Sequence, residues 1–236
     1  MIQLPLIISF CDARYKNVAL NWVCCLKKIK IDNYLIITLD NDAETFLKKN
    51  NIKTKLIEGG NIPRRSGKGW RWRFEKIYEI LRSEPAIIHS DLDAVWIKNP
   101  ISKLNSKYDI IASCDTGGFP VESFSKWNFT MCMGWVYFKN NSCVKSVFDK
   151  ILKSKKNFDD QEEFNLYFSR KIESSDIYTT MSDDKEFSFD GTNVCVLEQN
   201  TIYRGDYMNT AYVCHPLMKK QADCELQLKK RKLWIL

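Results

Sequence analysis

Two aspartates one residue apart, Asp91 and Asp93, follow the apolar run "AIIHS" (86–90), and Val95 and Trp96 come soon after them. Alternate residues of an extended segment point to the same side and lie about 7 Å apart along the backbone. Two carboxylates on one side repel each other, so a partly buried site is costly unless a cation neutralises them. Oxygen ligands suit Mg²⁺ or Mn²⁺, which commonly bridge to substrate phosphates. The pair is a candidate metal site, and the alternative is that both acids cap a turn and face water.

The surrounding apolar segments predict an α/β fold. Short apolar runs predict strands at 4–10, 34–40, 86–90, 108–113 and 134–138. Apolar residues at helical spacing predict helices within 18–29, 74–81, 144–151 and 159–168. The strand–helix–strand beginning favours a parallel sheet. Ligands of such sheets bind beyond the carboxyl ends of the strands, where Asp91 and Asp93 are expected to lie. Residues 58–73 are expected to form a loop, and the pattern after Asp190 is irregular.

Composition limits the classes of function. The chain has 236 residues and a net charge of +7, which fits a partner that carries phosphate, whether nucleotide, nucleic acid or membrane surface. The nine cysteines contain no CxxC pair, which argues against a zinc knuckle. The start "MIQLPLIISFCDAR" has no basic region before its apolar run, so no signal peptide is expected. An odd number of cysteines then suggests reduced thiols and a cytoplasmic location.

Seven segments, in order, resemble one family. "SDLDAVWIKNP" (90–100) resembles the strand, D-x-D and basic-proline run of nucleotide-diphospho-sugar transferases with a GT-A fold, especially the group around glycosyltransferase family 77. The other matching segments are "NWVCCLKKIKIDNYLIITLD", "FEKIYEIL", "YDIIASCD", "MGWVYFK", "DDQEEFN" and "CHPLMKKQADCELQLKKRKLWIL". The resemblance covers nearly the whole chain.

This resemblance implies one GT-A domain over 1–236, α/β with a mixed central sheet flanked by helices. Residues 1–100 would form the nucleotide-binding half, ending in the D-x-D motif, and 101–236 the half that completes the acceptor and metal sites. The implied activity is metal-dependent transfer of a hexose or pentose from a nucleotide-diphosphate sugar, with UDP as the expected nucleotide, to an acceptor hydroxyl in glycan or surface polysaccharide synthesis. The expected cofactor is Mn²⁺ or Mg²⁺, and no nucleic-acid partner is expected.

Two other functions are open. Haloacid-dehalogenase-like phosphatases also place two aspartates in a D-x-D motif after a strand, and would use Asp91 and Asp93. They usually begin with this strand, whereas about 90 residues precede it here, and no strand is predicted before the later acidic pair Asp183–Asp184. The second alternative is a degenerate domain that binds glycan or nucleotide without catalysis.

The resemblance also implies roles for individual residues. Asp91, Asp93 and His215 would bind the metal. The nucleotide or donor sugar would be contacted by Phe10, Asp12, Lys76, Asp91, Asp115, Lys219 and Lys220. Asp160 and Gln161 would act on the reacting sugar, with Asp160 as general base or as the group that stabilises positive charge at the anomeric carbon.

Several of these residues have a simpler interpretation. Lys76 lies about 200° around a helix from the apolar Phe74 and could face solvent. At a predicted helix start, Asp159 with Glu162, or Asp160 with Glu163, fits the spacing of a helix cap. Phe10 could be a core residue. Cys132 stands where the family often has Asn, and a cysteine cannot supply the two donors of an amide.

The C-terminal segment "LKKRKLWIL" (228–236) combines four basic residues with an apolar end. Such a segment could make peripheral contact with an anionic membrane surface. The apolar end is too short to anchor alone, so packing of Trp234 and its neighbours on the domain is the favoured interpretation. The "RRSGKGWRWR" stretch (64–73) fails the P-loop pattern and is interpreted as part of a basic active-site loop.

Overall fold

The computed structural model describes residues 4–57, 67–153, 158–217 and 223–236. The chain folds into two compact units. Unit 1 comprises Met1–Pro5, Asn61–Ile88 and Leu104–Gln199, and unit 2 comprises Leu6–Gly60, His89–Lys103 and Asn200–Leu236. These boundaries differ from the predicted halves 1–100 and 101–236, and the single functional domain stays a prediction.

The described residues form twelve strands and seven α-helices. The strands are β1 (Leu6–Cys11), β2 (Tyr34–Thr38), β3 (Thr54–Leu56), β4 (Ala86–Ser90), β5 (Val95–Trp96), β6 (Ile110–Asp115), β7 (Thr130–Lys139), β8 (Tyr178–Thr179), β9 (Lys185–Phe189), β10 (Thr192–Leu197), β11 (Ile202–Tyr203) and β12 (Val213–Cys214). The α-helices are α1 (Lys16–Lys28), α2 (Asn41–Lys49), α3 (Gly67–Ser83), α4 (Val121–Trp127), α5 (Ser142–Leu152), α6 (Asp160–Ser169) and α7 (Cys224–Lys230).

Unit 2 begins with a parallel sheet in the order β3-β2-β1. Helix α1 follows β1 and buries Val18, Trp22 and Leu26, which recur at helical spacing. Helix α2 follows β2 and is capped by Asp40, whose carboxylate accepts a hydrogen bond from the backbone N–H of Ala43 at 2.9 Å. The predicted strand–helix–strand beginning and its parallel pairing are confirmed.

A second, smaller sheet in unit 2 joins segments that are far apart in the sequence. Its order is β11-β12-β5, with β12 parallel to β11 and antiparallel to β5. Val213 pairs with Trp96, and Cys214 pairs with Val95. Strands β11 and β12 lie after Asp190, where no regular pattern is predicted.

Unit 1 contains a mixed sheet in the order β7-β6-β10-β9-β8. Strands β6 and β10 are parallel, and the other neighbours are antiparallel. Helices α4 and α6 pack on β7. The predicted α/β class with a mixed sheet and flanking helices is confirmed, whereas the irregular pattern predicted after Asp190 was wrong because β10 is a regular, mostly buried strand.

Aromatic side chains fix three helices of unit 1 relative to one another. Phe74 of α3 lies 4.5 Å from Phe148 of α5 between ring centroids, and Tyr78 stacks on the same ring at 4.9 Å. Phe158, just before α6, lies 5.6 Å from Phe74. The start of α6 is thereby held beside the middle of α3, which decides which polar residues of the two helices meet.

Part of the predicted loop 58–73 is helical. Helix α3 starts at Gly67, because Trp70, Phe74, Ile77 and Leu81 continue one apolar stripe at helical spacing. The loop prediction was therefore wrong for residues 67–73, and residues 58–66 lie outside the described part of the chain.

The C-terminal segment packs on unit 2. Leu228 and Leu233 are fully buried. The side chain of the buried Asn21 in α1 donates to the carbonyl of Leu233 at 3.1 Å and accepts from the N–H of Ile235 at 2.8 Å. The favoured interpretation of packing is confirmed for these residues. Across the ranges that the structure describes, no helix is both long and apolar enough to cross a membrane.

Candidate functional site

Asp91 and Asp93 lie in the turn that leads from β4 to β5. All five residues of β4 are buried, and the intervening Leu92 and Ala94 are buried as well. The two aspartate side chains retain 32% and 18% of their exposure, so both point away from the core. The N–H of Ala94 donates to the carbonyl of Asp91 at 3.0 Å, which closes the turn. The turn therefore presents two carboxylates on one side, as their spacing predicts.

His215 reaches this turn through the small sheet. It follows β12 directly, and its N–H donates to the carbonyl of Tyr203 at 2.7 Å. Because Cys214 pairs with Val95, the next residue along β12 lies beside the turn that carries Asp93. The imidazole is buried, so its position is set by the protein rather than by solvent.

The three side chains form a compact cluster. Nε2 of His215 lies 3.3 Å from Oδ1 of Asp93 and 3.8 Å from Oδ2 of Asp91. One ligand atom from each of the three residues lies within 4.8 Å of the others. Two carboxylates and one imidazole are a donor set that suits Mn²⁺ and accepts Mg²⁺. The residues fit a divalent cation, so the expected metal set of Asp91, Asp93 and His215 is one that the fold brings together.

Two further side chains border the cluster. Nε2 of the buried His89 lies 3.8 Å from Oδ1 of Asp91, and its ring lies 5.8 Å from that of Phe10 between centroids. Nη1 of Arg204, which directly follows β11, makes a close contact with Nδ1 of His215. The acidic pair thus faces one imidazole on each side, and one of these imidazoles touches a guanidinium.

Phe10 and Asp12, two residues expected to bind the nucleotide, lie at the end of β1. Phe10 is half-buried and packs near His89. The Asp12 carboxylate is buried and accepts hydrogen bonds from the N–H groups of Arg14 at 2.9 Å and Tyr15 at 3.3 Å. Asp12 therefore caps the turn that leads into α1, and its contact with a nucleotide stays a prediction.

Asp115 ends β6 in unit 1. Its buried carboxylate accepts from the N–H of Gly117 at 2.8 Å. A Cβ at position 117 would lie 3.0 Å from the same carboxylate oxygen, so a glycine allows this close turn. The contact of Asp115 with sugar hydroxyls is likewise untested by the structure.

Asp160 is part of an ion pair that the sequence analysis missed. Oδ2 of Asp160 lies 2.6 Å from both Nε and Nη2 of Arg73. Asp160 is 2% exposed and Arg73 is 15% exposed, and the guanidinium stacks 4.4 Å from the Trp70 ring. The helix cap is Asp159, which accepts from the N–H of Glu162 at 3.0 Å. Of the two caps that the spacing allows, the structure therefore has Asp159 with Glu162, and the alternative with Asp160 was wrong.

Gln161 links two backbone segments of unit 1. Its Oε1 accepts from the N–H of Met133 at 3.3 Å, and its Nε2 donates to the carbonyl of Phe119 at 3.1 Å. One turn further on, the buried Asn165 accepts from the N–H of Met131 at 2.7 Å and donates to its carbonyl at 2.8 Å. Both amides hold β7 at the point where its pairing with β6 is irregular.

Cys132 lies inside this irregular stretch of β7. It is buried, and its Sγ accepts from the N–H of Gly134 at 3.3 Å. A thiol can accept one hydrogen bond from the backbone in this geometry, although it cannot replace both donors of an amide.

The structure gives little information on donor binding by the basic residues. Nζ of Lys76 lies 2.5 Å from Oε2 of Glu79, one turn along α3, which is a surface ion pair. Its contact with a donor stays a prediction. Lys219 and Lys220 lie outside the described residues.

The sequence near Arg73 and Arg204 gives little indication of the contacts that these residues make. Each is one of 36 basic residues, and their importance comes from partners 87 and 11 positions away. The aromatic stripe that continues through Trp70 could have indicated that Arg73 belongs to α3. Nothing in the sequence around Arg204 indicates a contact with His215.

In an α/β fold, two carboxylates and a histidine beyond a buried strand form an arrangement that could hold a cation beside a phosphorylated ligand. The family model of nucleotide-diphospho-sugar transferases matches residues 29–233, so the chain belongs to this family. The family predicted from the sequence is confirmed, and it favours sugar transfer over the phosphatase alternative. The narrower grouping with glycosyltransferase family 77 stays a prediction.

Individual relatives are distant. Arabinosyltransferase RRA1 of Arabidopsis thaliana is 27% identical over 99 residues, which cover 39% of this chain and 25% of that protein. Beta-arabinofuranosyltransferase RAY1 of the same plant is 19% identical over 160 residues, covering 62% of this chain and 29% of that protein. The chain thus matches less than a third of the length of these relatives. The solved galactosyltransferase LgtC, in complex with donor and acceptor sugar analogues, has a TM-score of 0.47 at 13% identity, covering 67% of this chain and 69% of that structure.

Proposed function

We propose that the protein is a divalent-cation-dependent glycosyltransferase that moves a sugar from a UDP-sugar to an acceptor hydroxyl. The observation that carries this proposal is the cluster of Asp91, Asp93 and His215 in a chain of the nucleotide-diphospho-sugar transferase family. Because relatives are named as arabinosyltransferases, a pentose is the first donor sugar to test.

The metal role is assigned to three side chains. Asp91, Asp93 and His215 would hold a Mn²⁺ or Mg²⁺ ion, which when bound supplies positive charge to the departing diphosphate. Asp93 and His215 lie nearest to each other in the cluster, so both are assigned as direct ligands. Asp91 is more exposed and would share its carboxylate between the ion and the donor.

The roles in unit 1 follow from the ion pair and the amides. Arg73 fixes the orientation of the Asp160 carboxylate, which we assign to stabilising positive charge at the anomeric carbon. Gln161 already uses both ends of its amide on Met133 and Phe119. We therefore assign Gln161 as a positioning residue rather than as a group that attacks or protonates the sugar.

Calorimetry with Mn²⁺ and UDP tests the metal site. Asp93→Asn removes the charge of one candidate ligand at nearly constant volume, and a loss of one ligating or orienting group is expected to weaken Mn²⁺ binding about 10- to 100-fold. Asp206→Asn is the matched control, because Asp206 is an exposed acid of the same unit whose partner is Arg231. Equal affinity of the wild type and of Asp93→Asn for Mn²⁺ would remove the metal site.

A screen of nucleotide sugars tests the reaction. Mn²⁺-dependent release of UDP from a UDP-pentose or UDP-hexose, absent in Asp93→Asn, is the expected result. Tight binding of a UDP-sugar with no release or transfer in any condition would instead support the binding-only alternative.

A further inference from the structure

The contact between Arg204 and His215 has a chemical consequence for the candidate metal site. A guanidinium has five N–H donors and no acceptor. Its contact with Nδ1 of His215 therefore requires that Nδ1 accepts the hydrogen bond. A neutral imidazole carries one N–H, which must then lie on Nε2.

The surroundings of Nε2 agree with this arrangement. Nε2 lies 3.3 Å from Oδ1 of Asp93, within reach of a hydrogen bond from N–H to the carboxylate. Arg204, His215 and Asp93 thus form a chain in which each member donates to the next. Such a chain brings positive charge and a donor towards two carboxylates that otherwise repel each other.

In a histidine that binds a metal, the donor and acceptor roles of the two ring nitrogens are reversed. The ligating nitrogen offers its lone pair, and the other nitrogen donates its N–H to an acceptor such as a carboxylate, a backbone carbonyl or water. With Nε2 as the ligand, Nδ1 would carry the proton and would point it at the guanidinium of Arg204. With Nδ1 as the ligand, the guanidinium would occupy the ligand position. In both cases Arg204 must leave Nδ1.

The backbone places Arg204 at this position. Tyr203 pairs with Cys214 in the small sheet, so the residues that follow them, Arg204 and His215, lie side by side. A Cβ at Gly205 would lie 2.5 Å from Cε1 of the Tyr203 ring, so a side chain at this position would require the ring to move. The contact with His215 is thus built into the end of β11 rather than made by a remote flexible chain.

We propose that Arg204 holds His215 in a form that cannot ligate and is exchanged for the cation when the site fills. This inference rests on the metal site of the proposed function and adds a positioning residue to it. Arg204 lowers the fraction of molecules in which His215 is ready to bind, and apparent affinity falls by that fraction. Removal of Arg204 should therefore tighten the binding of Mn²⁺, although most residues near a metal site weaken binding when they are removed.

The first test determines which ring nitrogen of His215 carries the proton when no cation is present. The chain has two histidines, so long-range ¹H–¹⁵N correlation spectra of the ¹⁵N-labelled protein give two imidazole patterns. The variant His215→Gln identifies which pattern belongs to His215. We expect the proton of neutral His215 on Nε2 in the wild type and a shift towards Nδ1 when Mg²⁺ is added. A proton on Nδ1 in the cation-free wild type would overturn the proposal.

The second test measures Mn²⁺ affinity by calorimetry. Arg204→Met should bind Mn²⁺ about 10-fold more tightly than the wild type, a difference of roughly 1.4 kcal/mol. Arg231→Met is the matched control, because it removes one positive charge from the same unit at a residue that pairs with Asp206. The gain in Mn²⁺ affinity from Arg204→Met should vanish when it is measured in proteins that also carry His215→Gln, since Arg204 and His215 act through one contact.

The outcomes separate this inference from the proposed function. A wild type that binds Mn²⁺, with Arg204→Met equal to Arg231→Met, would overturn the role of Arg204 and leave the metal site intact. A wild type and an Arg204→Met variant that both fail to bind Mn²⁺ would overturn the metal site and with it the exchange.

Discussion

The ion pair between Arg73 and Asp160 allows a quantitative prediction of stability. Replacing Arg73 with Met keeps a long apolar side chain but removes the guanidinium from a carboxylate that is 2% exposed. Breaking a buried ion pair at one partner typically costs about 3–5 kcal/mol, because the remaining charge stays buried. At roughly 2–4 °C per kcal/mol for a chain of this size, the melting temperature should fall by roughly 6–20 °C.

Urea unfolding at neutral pH, followed by circular dichroism, measures this loss as a change in the transition midpoint. The double variant Arg73→Met/Asp160→Asn should be more stable than Arg73→Met by about 1–3 kcal/mol, because no buried charge is left without its guanidinium. The matched control is Arg170→Met. Arg170 and Glu122 form an ion pair of the same type in unit 1, but both are more than half exposed, so about 0–1 kcal/mol should be lost.

Two results would refute this reasoning. If Arg73→Met costs no more than Arg170→Met, the pair contributes little and its burial does not matter. If the double variant loses the sum of the two single losses, the two side chains act independently.

Three further predictions concern other buried groups. The variant Asn21→Ala should lose about 1–3 kcal/mol of unfolding free energy and expose residues 233–236 to carboxypeptidase, since both hydrogen bonds of the Asn21 amide hold that segment. Digestion at the same rate as the wild type would contradict this. Asn165→Leu should lower the melting temperature more than Asn193→Leu, an exposed asparagine of the same unit, because it leaves two buried backbone groups of Met131 without their amide. Burial raises the pKa of Cys195 to about 12. Iodoacetamide at pH 8 should therefore spare Cys195 while it modifies the more exposed Cys24, as measured by mass spectrometry. Modification of Cys195 as early as Cys24 would refute the burial of Cys195.

The parts of the fold that could be predicted are those whose apolar pattern and capping residues lie within a short stretch of sequence. Strand β4 matches the predicted residues 86–90 because its apolar run is bounded by polar residues. Helix α5 contains the predicted residues 144–151 and begins at Ser142 after Asn141, whose side chain accepts from the N–H of Val144 at 2.8 Å. In these cases burial and capping act between near neighbours, so the local sequence contains the information.

The parts that could not be predicted depend on distant partners. The small sheet uses strands of two residues, too short to show an alternation of polar and apolar residues. Arg73 meets Asp160 because aromatic rings on α3 and α5 and before α6 pack together, and Arg204 meets His215 because β11 pairs with β12. The resemblance to a family supplied His215, which spacing alone could not have joined to Asp93.

The two halves of the candidate metal site therefore have different structural support. Asp91 and Asp93 follow the five-residue strand β4, which is buried along its whole length. His215 depends on two-residue strands, whose backbone hydrogen bonds alone give little stability. The buried side chains of these strands must supply the remaining stability. Val213 and Cys214 are inaccessible to solvent. Trp96 donates to Oγ of Ser90 at 3.0 Å and thus joins the small sheet to the end of β4. Packing around Trp96 therefore helps to hold β12, and with it His215, beside the turn that carries Asp93.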